Sequence, residues 1–133
     1  ERGPSSKVNL PPERLPDMIH EEATLTTQAL IYRMSGDVNP LHADPSASSI
    51  SGFDMPILHG LATYGFGARA VIKHYCGNNP ARFKSIQARC SSPVYPGETL
   101  ITEMWTTDEG VIFQMRVKER DVVVLSNALA VVE

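Results

Sequence analysis

Apolar and polar positions repeat with two different periods along this chain, and the change of period divides it in two. From Ile86 onward the period is two. Ile86, Ala88 and Cys90 alternate with Ser85, Gln87 and Arg89, and Val111, Phe113, Met115 and Val117 alternate with Ile112, Gln114, Arg116 and Lys118. Such alternation predicts strands with one buried face. Thr99 to Thr106 and Val122 to Val132 read as further strands, with turns at Asp108-Glu109-Gly110 and Glu119-Arg120-Asp121. Short turns between successive strands imply antiparallel pairing.

Before Ile86 the pattern is mostly helical. Leu61, Tyr64, Gly65, Ala68, Val71, Ile72 and Tyr75 recur at i, i+3, i+4, i+7 spacing, predicting a long helix over 60–75. Its expected inner face is unusually small, with Gly60, Ala62, Gly65, Gly67, Ala68 and Ala70 in one run. Each glycine costs a helix roughly 1 kcal/mol against alanine. Close approach of the helix to a sheet or a ligand is the expected compensation. A shorter helix is predicted from Gln28 to Met34, capped by Thr26 or Thr27 and stopped at Gly36. Asp44-Pro45 reads as an N-cap followed by proline, opening a third helix that runs through Ser51. Ile19 to Leu25 predicts a first short strand. Residues 1–18 contain Pro4, Pro11, Pro12 and Pro16 and read as a linker joining a larger protein, leaving 19–133 as the folded domain. The expected class is α+β, with an antiparallel sheet and one long helix.

Composition narrows the field. A chain of 133 residues, 42% of them hydrophobic, suits one compact domain with its own core. The net charge is −3 and the twelve basic residues are scattered, so no nucleic-acid footprint is present. No run approaches the roughly 20 apolar residues needed to span a membrane, and no signal peptide or serine-lysine-leucine peroxisomal address is visible. Two cysteines, Cys76 and Cys90, form neither a CxxC nor a Cys/His cluster, so no disulfide framework and no metal site are expected. A His74-x-Cys76 pair alone is too sparse for a metal. Gly65-Phe66-Gly67-Ala68-Arg69-Ala70 matches a dinucleotide pattern only loosely, and it lies inside a helical repeat rather than after a strand.

The candidate chemistry lies between the first two helices. Asp37-Val38-Asn39-Pro40-Leu41-His42 sets a carboxylate and an imidazole five residues apart across an Asn-Pro turn. The turn can fold both toward one point, where they can hold a water and share its protons, as general acid–base chemistry requires. Burial would tune such a pair for proton exchange near neutral pH. The segment is equally compatible with a turn cap at Asp37 and a satisfied core histidine at His42. Its neighbourhood favours chemistry. Met55-Pro56-Ile57-Leu58-His59-Gly60 leads into the long helix, whose first N–H groups are ready donors to a developing oxyanion. His59 either lines the pocket or serves structure. His20 and His74 show no partner pattern, and Lys73, Arg82 and Lys84 are either contacts to a ligand's phosphates or, more often for any one of them, solvated charges.

Together these blocks resemble the MaoC-like family of hydratases, and within it the hydratase 2 type found in peroxisomal multifunctional enzymes of β-oxidation. The resemblance runs from about residue 19 to the end, through Tyr32–His42, Pro56–Gly60, Arg82-Phe83-Lys84, Pro93–Gly97 and Thr102-Glu103-Met104-Trp105. It implies a hot-dog fold, an antiparallel sheet wrapped around a long central helix. It implies hydration of a trans-2-enoyl-CoA to a (3R)-3-hydroxyacyl-CoA in fatty-acid β-oxidation, in a peroxisome. Asp37 and His42 would then activate the water, Asn39 would orient the loop, and the Gly60 N–H would polarise the thioester carbonyl. Val38, Pro40, Leu41 and Cys90 would contact substrate. No metal or dissociable cofactor is implied, since CoA is part of the substrate. Eukaryotic members resemble two fused hot dogs, of which only the C-terminal one carries this loop. The chain looks like that half, so a homodimer or a second hot-dog half is the expected partner. Two other readings remain, a hot-dog thioesterase and a non-catalytic hot-dog domain. The first is disfavoured because the helix over 60–75 contains no Asp or Glu, the second because both Asp37 and His42 are present.

Overall fold

The computed structural model describes residues 7–133. Residues 1–6, part of the expected linker, lie outside the described residues. Five strands form one antiparallel sheet: β1 (Met18–Ala23), β2 (Phe83–Cys90), β3 (Thr99–Thr107), β4 (Gly110–Val117) and β5 (Val122–Val132), in the order β1-β3-β4-β5-β2. The β3–β4–β5 meander follows the alternation in the sequence. Its hairpin register pairs Thr107 with Gly110 and Val117 with Val122. The β4 residues Val111, Phe113, Met115 and Val117 are all buried, as their period-two pattern predicts.

Three α-helices precede β2: α1 (Gln28–Arg33), α2 (Pro45–Ile50) and α3 (Gly60–Tyr75). α3 crosses the concave face of the sheet and closes the core over Phe113, Met115 and Leu125. None of these helices is long and apolar enough to cross a membrane.

The expected small inner face of α3 holds in part: Ala62, Gly67 and Ala70 are buried, whereas Gly60 is exposed and Ala68 half-buried. Leu61 is 70% exposed and Gly65 is exposed, while Ala62, Thr63, Phe66, Gly67, Ala70 and Val71 face inward. Both rows have helical spacing, and close approach decides between them. A Cβ on Gly67 would lie 2.8 Å from Met115 Sδ and 2.9 Å from Phe113 Cε2. Only the face bearing Gly67 can seat this deeply on the sheet. The expected reason for the small residues therefore holds at Gly67, whereas Gly65 has nothing within 4 Å of its Cβ direction.

Smaller differences have local causes. β1 ends at Ala23 rather than Leu25, because buried Thr24 turns to the 95–98 loop. Its N–H and hydroxyl both donate to Glu98 O, at 3.0 and 2.7 Å. Thr27 precedes α1 without a side-chain cap; instead the Leu25 N–H donates to Gln28 Oε1 at 3.2 Å. Gly36, at φ +111°, stops α1, and its N–H donates to Arg33 O. Asp44 caps α2 by accepting from Ser46 N–H at 2.8 Å, with Pro45 in the first position.

Residues 7–17 contain no helix or strand but run against β3. The Trp105 indole donates to Arg14 O at 2.9 Å, and Asp17 N–H donates to Met104 O. Asn9 is buried against Asn127, a residue at φ +52° in β5. At the other end, Arg82 and Lys84 both engage Glu133.

Candidate active site

The loop between α1 and α2 is built by its own side chains. Asp37 Oδ1 accepts from Asn39 N–H at 3.2 Å, and Asn39 Oδ1 accepts from Leu41 N–H at 3.0 Å. Asn39 thereby caps a single 3-10 turn, Pro40–His42, with proline in its first position. His42 N–H donates to Asn39 O, and the Pro40 carbonyl accepts from Asp44 N–H at 2.7 Å. The turn folds the chain back so that His42, five residues on, returns toward Asp37.

His42 is 9% exposed. Its Nδ1 lies 2.7 Å from Ile57 O. A carbonyl can only accept, so Nδ1 carries a proton, and in the neutral ring the lone pair sits on Nε2. Asp37 differs from expectation: its side chain is 51% exposed, so only one member of the pair is buried. The position at the tip of a short turn explains this, since nothing among the described residues packs outside it.

A third group completes the cluster. His59 is 2% exposed and stacks on His42, with ring centroids 3.7 Å apart and 24° between planes. Tyr32 lies on it at 4.6 Å. His59 Nε2 is 3.4 Å from Asp37 O and 3.9 Å from Asp37 Oδ2. Burial, and next the charge of neighbouring His42, push the His59 pKa below its ordinary value, so the ring is held neutral. Asp37, His42 and His59 each offer one atom within 4.8 Å of the others, a spacing that could also hold a metal ion. The lone pairs of two stacked rings lie in separate planes, which suits a stack better than shared coordination.

Gly60 opens α3 immediately after His59. The N–H groups of a helix's first turn have no intrahelical partner and present a positive dipole end. A Cβ on Gly60 would meet Cys90 Sγ at 3.0 Å, so glycine keeps this N–H approachable beside the end of β2. A cavity of ≈ 290 Å³ opens there, lined by residues that include Gly60, Thr63, Cys90, Pro93 and Val94. A second, of ≈ 260 Å³, reaches His42 from the α1 side past Ala29, Leu30, Met55 and Pro56. Gly60 thus borders one mostly apolar hollow and His42 the other.

The expected residues are distributed unevenly. Asp37, Asn39, His42, Gly60 and Cys90 border this region. Val38 is 68% exposed, Pro40 is exposed at the start of the turn, and Leu41 is half-buried with its N–H held by Asn39. Arg82 and Lys84 are occupied by Glu133. His20 and His74, without a visible pattern in sequence, meet at 3.1 Å between β1 and α3. The stacked position of His59, 17 residues from His42, has no sequence signature beyond its adjacency to Gly60.

A family model described as a MaoC like domain matches residues 7–128. The "Probable enoyl-CoA hydratase 2" of Dictyostelium discoideum is 48% identical over 136 residues, an alignment covering 100% of this chain and 46% of that protein. "Peroxisomal multifunctional enzyme type 2" of Mus musculus is 51% identical over 117 residues, covering 88% of this chain and 16% of that protein. The solved structure of the full-length peroxisomal multifunctional enzyme type 2 from Drosophila melanogaster superposes with a TM-score of 0.93 at 41% identity, covering 96% of this chain and 24% of that one. The chain therefore spans less than half the length of each of these relatives. An antiparallel sheet packed on a long central helix, a match across nearly all described residues and identities of 41% to 51% agree on one assignment. This chain belongs to the MaoC-like family, with the hot-dog fold.

Proposed function

We propose that this chain hydrates trans-2-enoyl-CoA to (3R)-3-hydroxyacyl-CoA, with Asp37 and His42 handling the protons and Gly60 the thioester oxygen. The observation that carries the reading is that Asp37 and His42 each bring a side-chain oxygen or nitrogen within 4.8 Å of the other and of His59, the N-cap residue of α3. The names of the relatives support the same reaction class.

Water held between the Asp37 carboxylate and His42 Nε2 loses one proton to this pair as its oxygen bonds to C3 of the enoyl group. The C2–C3 π electrons move toward the thioester, and the carbonyl oxygen gains negative charge. The Gly60 N–H, aided by the helix dipole, is a preorganised donor for that charge. The pair then returns a proton to C2, so one water is added across the double bond and the site is regenerated. The thioester itself activates the alkene, so the reaction calls for no metal or dissociable cofactor.

The site needs a cover. Leu30, Ile31, Met34, Val38 and Leu61 stand 48–88% exposed around the loop and the start of α3. An apolar surface of this kind beside a catalytic loop fits an interface. The proposed cover is a second hot-dog unit, either another copy or a further half of a longer protein. The named relatives point to a peroxisome as the place of action.

The test follows loss of the enoyl-thioester absorbance, with chiral analysis of the product. A (3R) alcohol is expected; a (3S) product, or release of free CoA, would overturn the reading. Asp37→Asn and His42→Ala should each lower kcat by about 10²–10⁴-fold with melting temperature retained. Full activity in either variant would mean another group moves the proton.

A further inference from the structure

His59 is used by no step of the proposed reaction, yet it touches every part of the apparatus. Its ring covers one face of His42 at 3.7 Å, and Tyr32 backs it at 4.6 Å. Its Nε2 approaches the Asp37 carbonyl at 3.4 Å, and its own carbonyl accepts from Ala62 and Thr63 N–H to start α3. Its Nδ1 is buried and has no hydrogen-bond partner among the described residues. Orphaned buried polar atoms are uncommon and call for a reason. If Nε2–H donates to Asp37 O, Nδ1 is left with a bare lone pair, a smaller penalty than an orphaned N–H.

The geometry explains why a histidine's flat ring stands here. Ile57 O fixes the His42 tautomer through one nitrogen but leaves the ring free to swing about that hydrogen bond. A stacked neighbour removes the swing, because tilting the His42 plane would drive it into the His59 face. We propose that His59 is a positioning residue of the hydration reaction: it sets the plane of the His42 ring, and so the direction in which Nε2 meets the water. The inference rests on the hydratase reading of the preceding section. It adds a residue whose action passes entirely through His42. A misplacement of 1 Å in a catalytic group can cost on the order of 10²-fold in rate, so a swinging ring should be readable in kcat.

The discriminating pair is His59→Phe and His59→Leu in the full chain. Both fill the site and both lose the ring nitrogens; only Phe keeps a flat face against His42. His59→Phe is expected to retain kcat within about fivefold of the unsubstituted protein and to keep the midpoint of the acid limb of kcat/KM. His59→Leu is expected to lose about 10–100-fold in kcat with KM little changed, and to shift that acid midpoint by half a pH unit or more. Melting temperatures of the two variants should agree within a few degrees. A mere space-filling role would leave the two variants with the same kcat, the same KM and the same pH profile. Equal rates, whether both fast or both slow, therefore overturn the positioning role. If Leu fails to fold, the Phe variant alone decides, since a loss beyond fivefold would show that the nitrogens rather than the plane matter. Should the unsubstituted protein not hydrate the enoyl thioester at all, the functional reading falls and this inference with it. Should it do so while the pair behaves alike, only the inference falls.

Discussion

At the scale of single residues, the proposed mechanism rests on two backbone groups as much as on side chains: the Ile57 carbonyl that fixes the His42 tautomer and the N–H of Gly60. The second can be removed without unmaking the helix. Gly60 is the first residue of α3, where proline is well tolerated, and His59 before it has φ −59° and ψ 136°, a conformation compatible with a following proline. Gly60→Pro in a Cys90→Ala background, which vacates the sulfur 3.0 Å away, should keep the fold and lower kcat by about 10²–10³-fold. Unchanged kcat, measured with the Cys90→Ala protein as reference, would remove Gly60 from the mechanism. The buried histidines make a separate prediction about stability. Burial, first of all, lowers the pKa of both His59 and His74 from the ordinary 6.5. Below 6.5 the unfolded chain takes up protons that the folded one refuses. Stability is therefore complete above about pH 6.5 and declines as the pH falls from there toward the lowered folded values. The melting temperature should drop between pH 7.5 and 5.5, and by less in His74→Gln. An equal drop in both proteins would exclude His74 from this effect.

At the scale of elements, α3 shows where local pattern stops being informative. Two rows of residues on it share helical spacing, one led by Leu61 and one by Ala62. Nothing within the helix chooses between them; the choice is made by Met115 and Phe113 on β4, which accept a glycine and nothing larger at position 67. Gly67→Ala should accordingly destabilise the protein by about 1–3 kcal/mol through overpacking, while Gly65→Ala, with open space around it, should be neutral or stabilising. Thermal unfolding of the two variants checks this, and reversed effects would mean that the helix is seated by its other face. The same distinction explains what could be read from sequence. The β-meander was legible because side-chain alternation is local, and the Asp37–His42 loop because its turn chemistry lies within six residues. The stack of His59 on His42 and the contact of His20 with His74 were not, since each depends on how separate elements are brought together by the sheet. Thr24 shows a smaller case: its β-prone character suits a strand, but a bond to Glu98, 74 residues on, draws it out of β1.

At the scale of the whole molecule, β2 occupies one border of the sheet. It is tied to α3 by the Tyr64 hydroxyl, which donates to Ile86 O at 2.8 Å, and it ends at Cys90 beside Gly60. A border strand presents a row of backbone groups ready to pair with another chain. Here that row ends within reach of the proposed oxyanion donor. Whatever lies along β2 would therefore touch the reacting region, and catalysis by the isolated chain would be governed by encounter as well as by chemistry. Specific activity should fall on dilution and recover on concentration, in step with the oligomer seen by sedimentation. A flat response, with monomer throughout, would show that one unit suffices. Joining two such units in a single polypeptide would replace bulk concentration by a high local one. Turnover per site would then no longer depend on how much protein is present, so an enzyme of this design could work at abundances where separate units would stand idle.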